Sequence, residues 1–184
     1  MTDHDQLVRL LATRSARRGQ FTLASGVQST LYIDARVTTM SPEGLSLIGP
    51  LALGAIRDSG WQPNSVGGLT LGADPISYAI AYASQLAGSP LRAFTVRKEA
   101  KVHGTGKLIE GPFDPLDRVV IIEDVITTGG SAIRAIDAVT AAGAAVVGVL
   151  ALVDRGEGGR VRIEHAGYSV RSLTTAEEIA SCMP

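Results

Sequence analysis

An α/β fold, with an open, mostly parallel β-sheet flanked by helices, is the architecture this sequence predicts, and three observations carry it. The runs RVVIIE (118–123) and AAVVGVLALVD (144–154) are continuously apolar, as strands covered on both faces must be. Segments of helical period alternate with them, SAIRAIDAVTAAG (131–143) being the clearest, and alternation of this kind signals a parallel sheet joined by crossover helices. Finally, four strands are each followed by a polar, Gly-bearing loop: GLTLGADP (68–75), RKEAKVHGTG (97–106), EDVITTGG (123–130) and DRGEGG (154–159). Ligands of open α/β sheets sit at the carboxyl ends of the strands, so these loops are expected to crowd one edge.

Along the chain, Asp3 to about Ala16 reads as an amphipathic helix with Leu7, Leu10 and Leu11 on one face. FTLASG and STLYIDARV read as two short strands joined by a Gly-containing turn. SPEGLSLIGPLALGAIRDSG (41–60) opens with a Ser cap and Pro at the first helical position and stops at Gly60; Pro50 inside it predicts a kink or break. SVGGL (65–69) is a strand, ADPISYAIAYASQLAG (73–88) a helix and LRAFTV (91–96) a strand, with a polar loop to about Arg118. After the 144–154 strand, RIEHAGYSVRSL suggests one or two strands, and TTAEEIA a short helix whose Thr174 and Glu177 have capping-box spacing.

With 184 residues and no repeat or linker, the chain fits a single domain. Its net charge of -1 offers no whole-molecule attraction to nucleic acid or an anionic membrane. The lone Cys182 excludes an internal disulfide framework and argues against a Cys-based metal site. An acidic N-terminus without an apolar core is unlike a signal peptide, and no apolar run reaches the roughly 18–20 residues of a membrane span. A cytoplasmic protein is expected.

VVIIEDVITTGGSA (119–132) poses a chemical problem. Thr127, Thr128, Gly129, Gly130 and Ser131, between a strand and a helix, offer backbone N–H groups, hydroxyls and a helix N-terminus, all suited to an anion. They match neither a G-x-x-x-x-G-K-[ST] loop nor G-x-G-x-x-G, and an ordinary β–α turn with a Thr/Ser cap is the alternative. Yet Glu123 and Asp124 precede the turn, and paired acids repel phosphate and are costly to bury. A ribose 5-phosphate reconciles the two: the turn takes the phosphate, while the carboxylates accept from the sugar hydroxyls and favour positive charge at the anomeric carbon. The whole pattern, four apolar residues, two acids, Val125-Ile126 and then TTGGS, resembles the phosphoribosyl-pyrophosphate (PRPP) signature of the type I phosphoribosyltransferases.

RKEAKVHGTGK (97–107) gathers Arg97, Lys98, Lys101 and Lys107 around His103. A solvated charged loop is one reading; a lid that closes over a departing pyrophosphate is the other. The segment resembles the mobile catalytic loop of the orotate phosphoribosyltransferases. FTLASGVQSTLYID (21–34) is similar to that family's N-terminal base-side hairpin, and VDRGEGG (153–159) to its orotate-contacting segment. The resemblance spans residues 17 to 160 and implies a small hood formed within 1–40 and a mobile loop over 97–112.

It further implies that Arg97, Lys98, Lys101 and His103 contact pyrophosphate, Lys101 being the catalytic cation, with His103 or Lys101 assisting the departure of the leaving group. Glu123, Asp124, Val125, Ile126, Thr127, Thr128, Gly129, Gly130 and Ser131 would bind PRPP, with Asp124 catalytic, and Thr127 and Arg155 would hold orotate. Mg²⁺ would be held mainly by PRPP, with no direct protein ligand, and a homodimer would share its loops between subunits. Two positions depart from the family. Ala24 stands where many members have Lys. Asp74 lies where the pyrophosphate-contacting loop is expected, and either belongs to that loop or caps the following helix through the N–H of Ile76 or Ser77. His4 and His165 read as surface or packing residues, Trp61 and Pro63 as loop packing, Tyr78 and Tyr82 as core or dimer contacts, and Asp154 as a possible strand end. The expected activity is transfer of ribose 5-phosphate to orotate. The alternatives are transfer to another base, or a PRPP-binding regulator of transcription or RNA.

Overall fold

The computed structural model describes residues 1–22, 28–99 and 107–184. At the N-terminus, α1 (Asp3–Leu10) passes through a π-helical turn at Leu11–Ser15 into β1 (Ala16–Thr22), which pairs antiparallel with β2 (Gln28–Ile33). The buried stripe of α1 and its extension is Leu7, Val8, Leu11 and Ala12; Leu10, expected among them, is only half-buried. The strand expected to run through Asp34-Ala35-Arg36-Val37 instead turns helical as α2 (Arg36–Thr39). Asp34 Oδ1 accepts from Arg36 N at 3.2 Å, a local bond that competes with a strand ladder. α3 (Pro42–Ser59) starts at the Ser41 cap and runs through Pro50 as one helix, so the expected break is absent. Pro50 points to solvent, away from the packed face.

The main sheet then forms from β3 (Ser65–Leu69), β4 (Arg92–Val96), β5 (Ile109–Glu110), β6 (Arg118–Ile126), β7 (Ala145–Asp154) and β8 (Val170–Thr175), in the order β5-β4-β3-β6-β7-β8. All neighbours are parallel except β4 and β5. β5 emerges from what the sequence shows only as polar loop: Ile109 and Glu110 pair with Val96 and Thr95. The crossover helices are α4 (Ala73–Leu86), α5 (Gly130–Ala141) and α6 (Gly159–His165), and α7 (Ala176–Ser181) closes the chain. α6 replaces a strand expected at RIEH; only one of its large side chains, Ile163, is fully buried, which suits one turn-spaced anchor better than strand alternation. The final capping box is Thr175 with Glu178, one residue later than Thr174 and Glu177, because Thr174 is still paired in β8 opposite Val153.

Two apolar layers sandwich the sheet. Val120, Ile122, Leu150 and Leu152 face a core with Leu7, Ile48 and Ile80, while Val119, Ile121, Val149 and Ala151 face another with Ile136, Val139 and Ile163. Alternate residues of each strand thus serve opposite layers, which is why these strands are apolar throughout. β3 and β6 are neighbours, but the chain leaves β3 toward β4 on one side and leaves β6 toward β7 on the other. The crevice beyond their carboxyl ends is the topological switch point, where an open sheet has room for a ligand.

Candidate active site at the sheet switch point

A cleft of about 540 Å³ opens at that switch point. Its walls are the 69–72 loop after β3, Lys98 beyond β4, the 123–131 segment ending β6, Arg155 after β7, and residues 32–36 of the N-terminal hairpin region. Of the expected site residues, Lys98, Glu123, Asp124, Val125, Ile126, Thr127, Thr128, Gly129, Gly130, Ser131 and Arg155 all line it. Arg97 does not: its N–H bonds Leu108 O at 2.8 Å and its guanidinium lies 3.6 Å from Glu110. Lys101 and His103, like Ala24, lie outside the described residues. Tyr32, Asp34 and Arg36 line the cleft as well. Asp34 and Arg36 form a two-point ion pair at 2.8 and 3.1 Å, and Arg36 also feels the charge of Asp124. No sequence pattern announces them, because a tertiary fold-over brings the hairpin above the sheet edge.

The Thr-Gly turn is held by a second glycine turn. Gly159 N–H donates to Thr127 O at 3.0 Å, Arg162 Nη1 to Thr128 O at 3.3 Å, and Arg155 N–H to Ile126 O at 3.0 Å. The loop's carbonyls are therefore turned toward the 155–162 segment, and its N–H groups are left for the cleft at the start of α5. Close approach makes both glycines obligatory. Gly129 has φ +76°, and a Cβ on it would sit 2.8 Å from Gly159 O; a Cβ on Gly159 would sit 2.5 Å from Thr127 O. An anion cradle needs this polarity.

The acid pair is asymmetric. Glu123 is 7% exposed, while Asp124 is half-buried and accepts from Val125 N at 2.8 Å. Burial first, then the charge and hydrogen bonding of Asp124, push the Glu123 carboxyl well above the ordinary carboxylate range. One acid is thus pushed toward its neutral form beside another open to the cleft.

Arg155 stands across the cleft with its side chain almost fully enclosed. Nε donates to Glu157 at 2.8 Å, and Nη2 reaches β2 through Ser29 Oγ at 3.0 Å and Leu31 O at 2.9 Å. It both lines the cleft and ties the hairpin to the sheet. The other predicted details resolve simply. His4 bonds Leu173 O at 3.0 Å, and His165 is exposed. Trp61 packs its indole over Gly148 and bonds Ser169 at 2.9 Å. Asp154 accepts from Gly156 N at 2.9 Å, closing the turn that follows its strand. Tyr78 and Tyr82 are 54% and 69% exposed and so are not core.

A mostly parallel sheet with a hairpin hood, a phosphate-type cradle and an acid pair at the switch point define a phosphoribosyltransferase-type protein. Residues 76–181 match the model of the phosphoribosyl transferase domain family. The chain is 43% identical to the orotate phosphoribosyltransferase of Aquifex aeolicus over 182 residues, 97% of this chain and 98% of that one. Among solved structures, the orotate phosphoribosyltransferase of Mycobacterium tuberculosis H37Rv in complex with Fe(III) dicitrate aligns with a TM-score of 0.85 at 41% identity, covering 97% of this chain and 99% of that one. The same enzyme in complex with PRPP aligns at 0.82 and 38% identity, with 97% and 99% covered. The chain belongs to the phosphoribosyltransferase family and, within it, groups with the orotate phosphoribosyltransferases.

Proposed function

We propose that this chain transfers the ribose 5-phosphate group of PRPP to N1 of orotate, giving orotidine 5'-monophosphate and pyrophosphate for pyrimidine synthesis. The observation that carries the reading is that the Thr-Gly cradle, the Glu123–Asp124 pair and Arg155 line one cleft. The N–H groups of 127–131 and the start of α5 take the 5-phosphate. The acids take the ribose hydroxyls, and the Asp124 carboxylate favours the positive charge that grows at the anomeric carbon as the C–O bond loosens. Lys98 faces the leaving pyrophosphate from the cleft wall, and Lys101 and His103 join it from the basic loop. Nε and Nη2 of Arg155 hold Glu157 and the hairpin, and its guanidinium would meet the carboxylate of the anionic base. Thr127 borders the same space.

When bound, Mg²⁺ supplies charge neutralisation at the pyrophosphate oxygens. Glu123 and Asp124 are hard oxygen donors of the type that ion accepts, and no group of three or more His, Cys, Asp or Glu able to hold a metal occurs among the described residues. In this reading PRPP and water would supply most of the ion's ligands. The exposed Leu71, Tyr78, Tyr82 and Leu86, along the outer face of α4 and the loop before it, support a homodimer in which each basic loop serves the neighbouring site. A cytoplasmic setting suits the single cysteine and the absence of a helix long and apolar enough to cross a membrane among the described residues. Nothing in the overall charge favours a nucleic-acid partner.

The test is to mix protein, orotate, PRPP and Mg²⁺ and follow the loss of orotate absorbance, with an EDTA control. Metal-dependent loss that Lys101→Ala abolishes is the expected result. No loss, with PRPP still raising the melting temperature, keeps the sugar-phosphate site and rejects orotate.

A further inference from the structure

We propose that Asp74 is the positioning residue of the Thr70-Leu71-Gly72 loop and fixes the cleft wall that faces pyrophosphate; the assignment rests on the transfer reaction proposed above. Asp74 is the second residue of α4 and 9% exposed, and the helix is capped at Gly72, so Asp74 is not its N-cap. Its two oxygens are instead divided between elements. Oδ2 accepts from Thr70 Oγ1 at 2.7 Å, in the cleft loop, and Oδ1 accepts from Thr95 Oγ1 at 2.8 Å, in β4.

A hydroxyl carries one hydrogen. Thr95 has given its own to Asp74, so in the 3.0 Å contact between Tyr78 Oη and Thr95 Oγ1 the tyrosine is the donor. A directed chain results: Tyr78 donates to Thr95, Thr95 to Asp74, and Thr70 to Asp74 from the other side. Thr70 N–H also binds Val96 O at 2.8 Å, so the loop is pinned twice to the strand from which the basic segment departs.

Loop position is read directly by the acid pair. A Cβ on Gly72 would lie 2.5 Å from Asp124 Oδ2, so the loop backbone rests against that carboxylate with no slack. Displacing the 70–72 loop therefore moves the surface opposite the leaving group and the environment of Asp124 together. It leaves the Arg155 side of the cleft, where the base is expected, untouched. Asp74 thus acts on one substrate and not the other.

Thr95 does not line the cleft, so Thr95→Val separates positioning from contact. Thr95→Val and Asp74→Asn are each expected to raise the KM for PRPP, and the Kd for magnesium pyrophosphate measured by calorimetry, about tenfold, as loss of one part-buried hydrogen bond to a carboxylate allows. The KM for orotate should stay within about twofold, and Thr95→Ser should restore the wild-type values. Unchanged pyrophosphate affinity in Thr95→Val, or equal weakening of both substrates, would overturn the assignment. Wild-type protein that binds neither PRPP nor pyrophosphate would instead overturn the transfer reading, and this assignment with it.

Discussion

Two loops meet at the switch point, and they are held in opposite ways. The 127–131 loop after β6 owes its shape to close neighbours: a left-handed glycine, a helix that begins at once, and carbonyls tied to the next glycine turn. The 70–72 loop after β3 has no capping side chain on α4 and is held by Asp74, which reaches forward to Thr95 in another strand. The first is a cradle fixed by close packing, which under the proposed transfer would hold a group that keeps its charge throughout. The second is a cleft wall bonded to the buried Asp74 carboxylate. The difference teaches that one loop of a cleft can be shaped by its own backbone, whereas its neighbour is set by a side chain that reaches another strand.

The comparison breaks most readily in the cradle. Gly129→Ala should destabilise the protein by about 3 kcal/mol, the sum of roughly 1–2 for a left-handed non-glycine residue and roughly 1–3 for overpacking. It should also abolish 5-phosphate binding, and urea unfolding with PRPP calorimetry would check both. A variant of wild-type stability would show that the two glycine turns do not lock each other. Asp124→Asn keeps the shape and removes the charge; kcat should fall about 10²-fold while the melting temperature holds. If only KM moved, Asp124 would be a binding group and not a stabiliser of the transition state.

Glu123→Gln sharpens the contrast through pH. Folding raises the Glu123 pKa above its ordinary 4.5, so its contribution to stability is complete below that value and is lost as pH climbs through the raised one. The free wild-type protein should therefore lose melting temperature across that window, and the Gln variant should lose less. Parallel curves for the two would place the titration elsewhere. The smallest effect is expected from Ser29→Ala, which removes one of the two bonds from Arg155 Nη2 to the hairpin and leaves the one to Leu31 O. A KM for orotate raised about threefold, with that for PRPP unchanged, would show that the hairpin tether tunes the base side alone.

Much of this was legible before the fold was seen. The strands SVGGL and RVVIIE and the helix at 131–143 lie where their period and stop signals put them, because two-sided burial and helix capping act over a few residues. The acid pair and the Thr-Gly turn are contiguous, so their shared place on the cleft is readable from one stretch. The failures share a cause as well. β5 is two residues long and exists because Ile109 and Glu110 find β4; Arg36 turns helical through Asp34; RIEH is a helix because Ile163 alone finds the core. In each, a distant or single contact outweighs a weak local preference.

The sequence by itself determined the layered sheet, the loops at its carboxyl edge and the pairing of two acids with a Thr-Gly turn, since each follows from periodicity or from neighbours in the chain. Only the tertiary structure decided that Gly129 and Gly159 pack back to back, that Arg155 is shared between cleft and hairpin, that Arg97 turns to Glu110, and that Asp74 is a brace between two threonines. The physical reason is range: hydrophobic period and backbone caps are local, whereas a hydrogen bond between residues 21 or 126 positions apart is specified by the fold that brings them together.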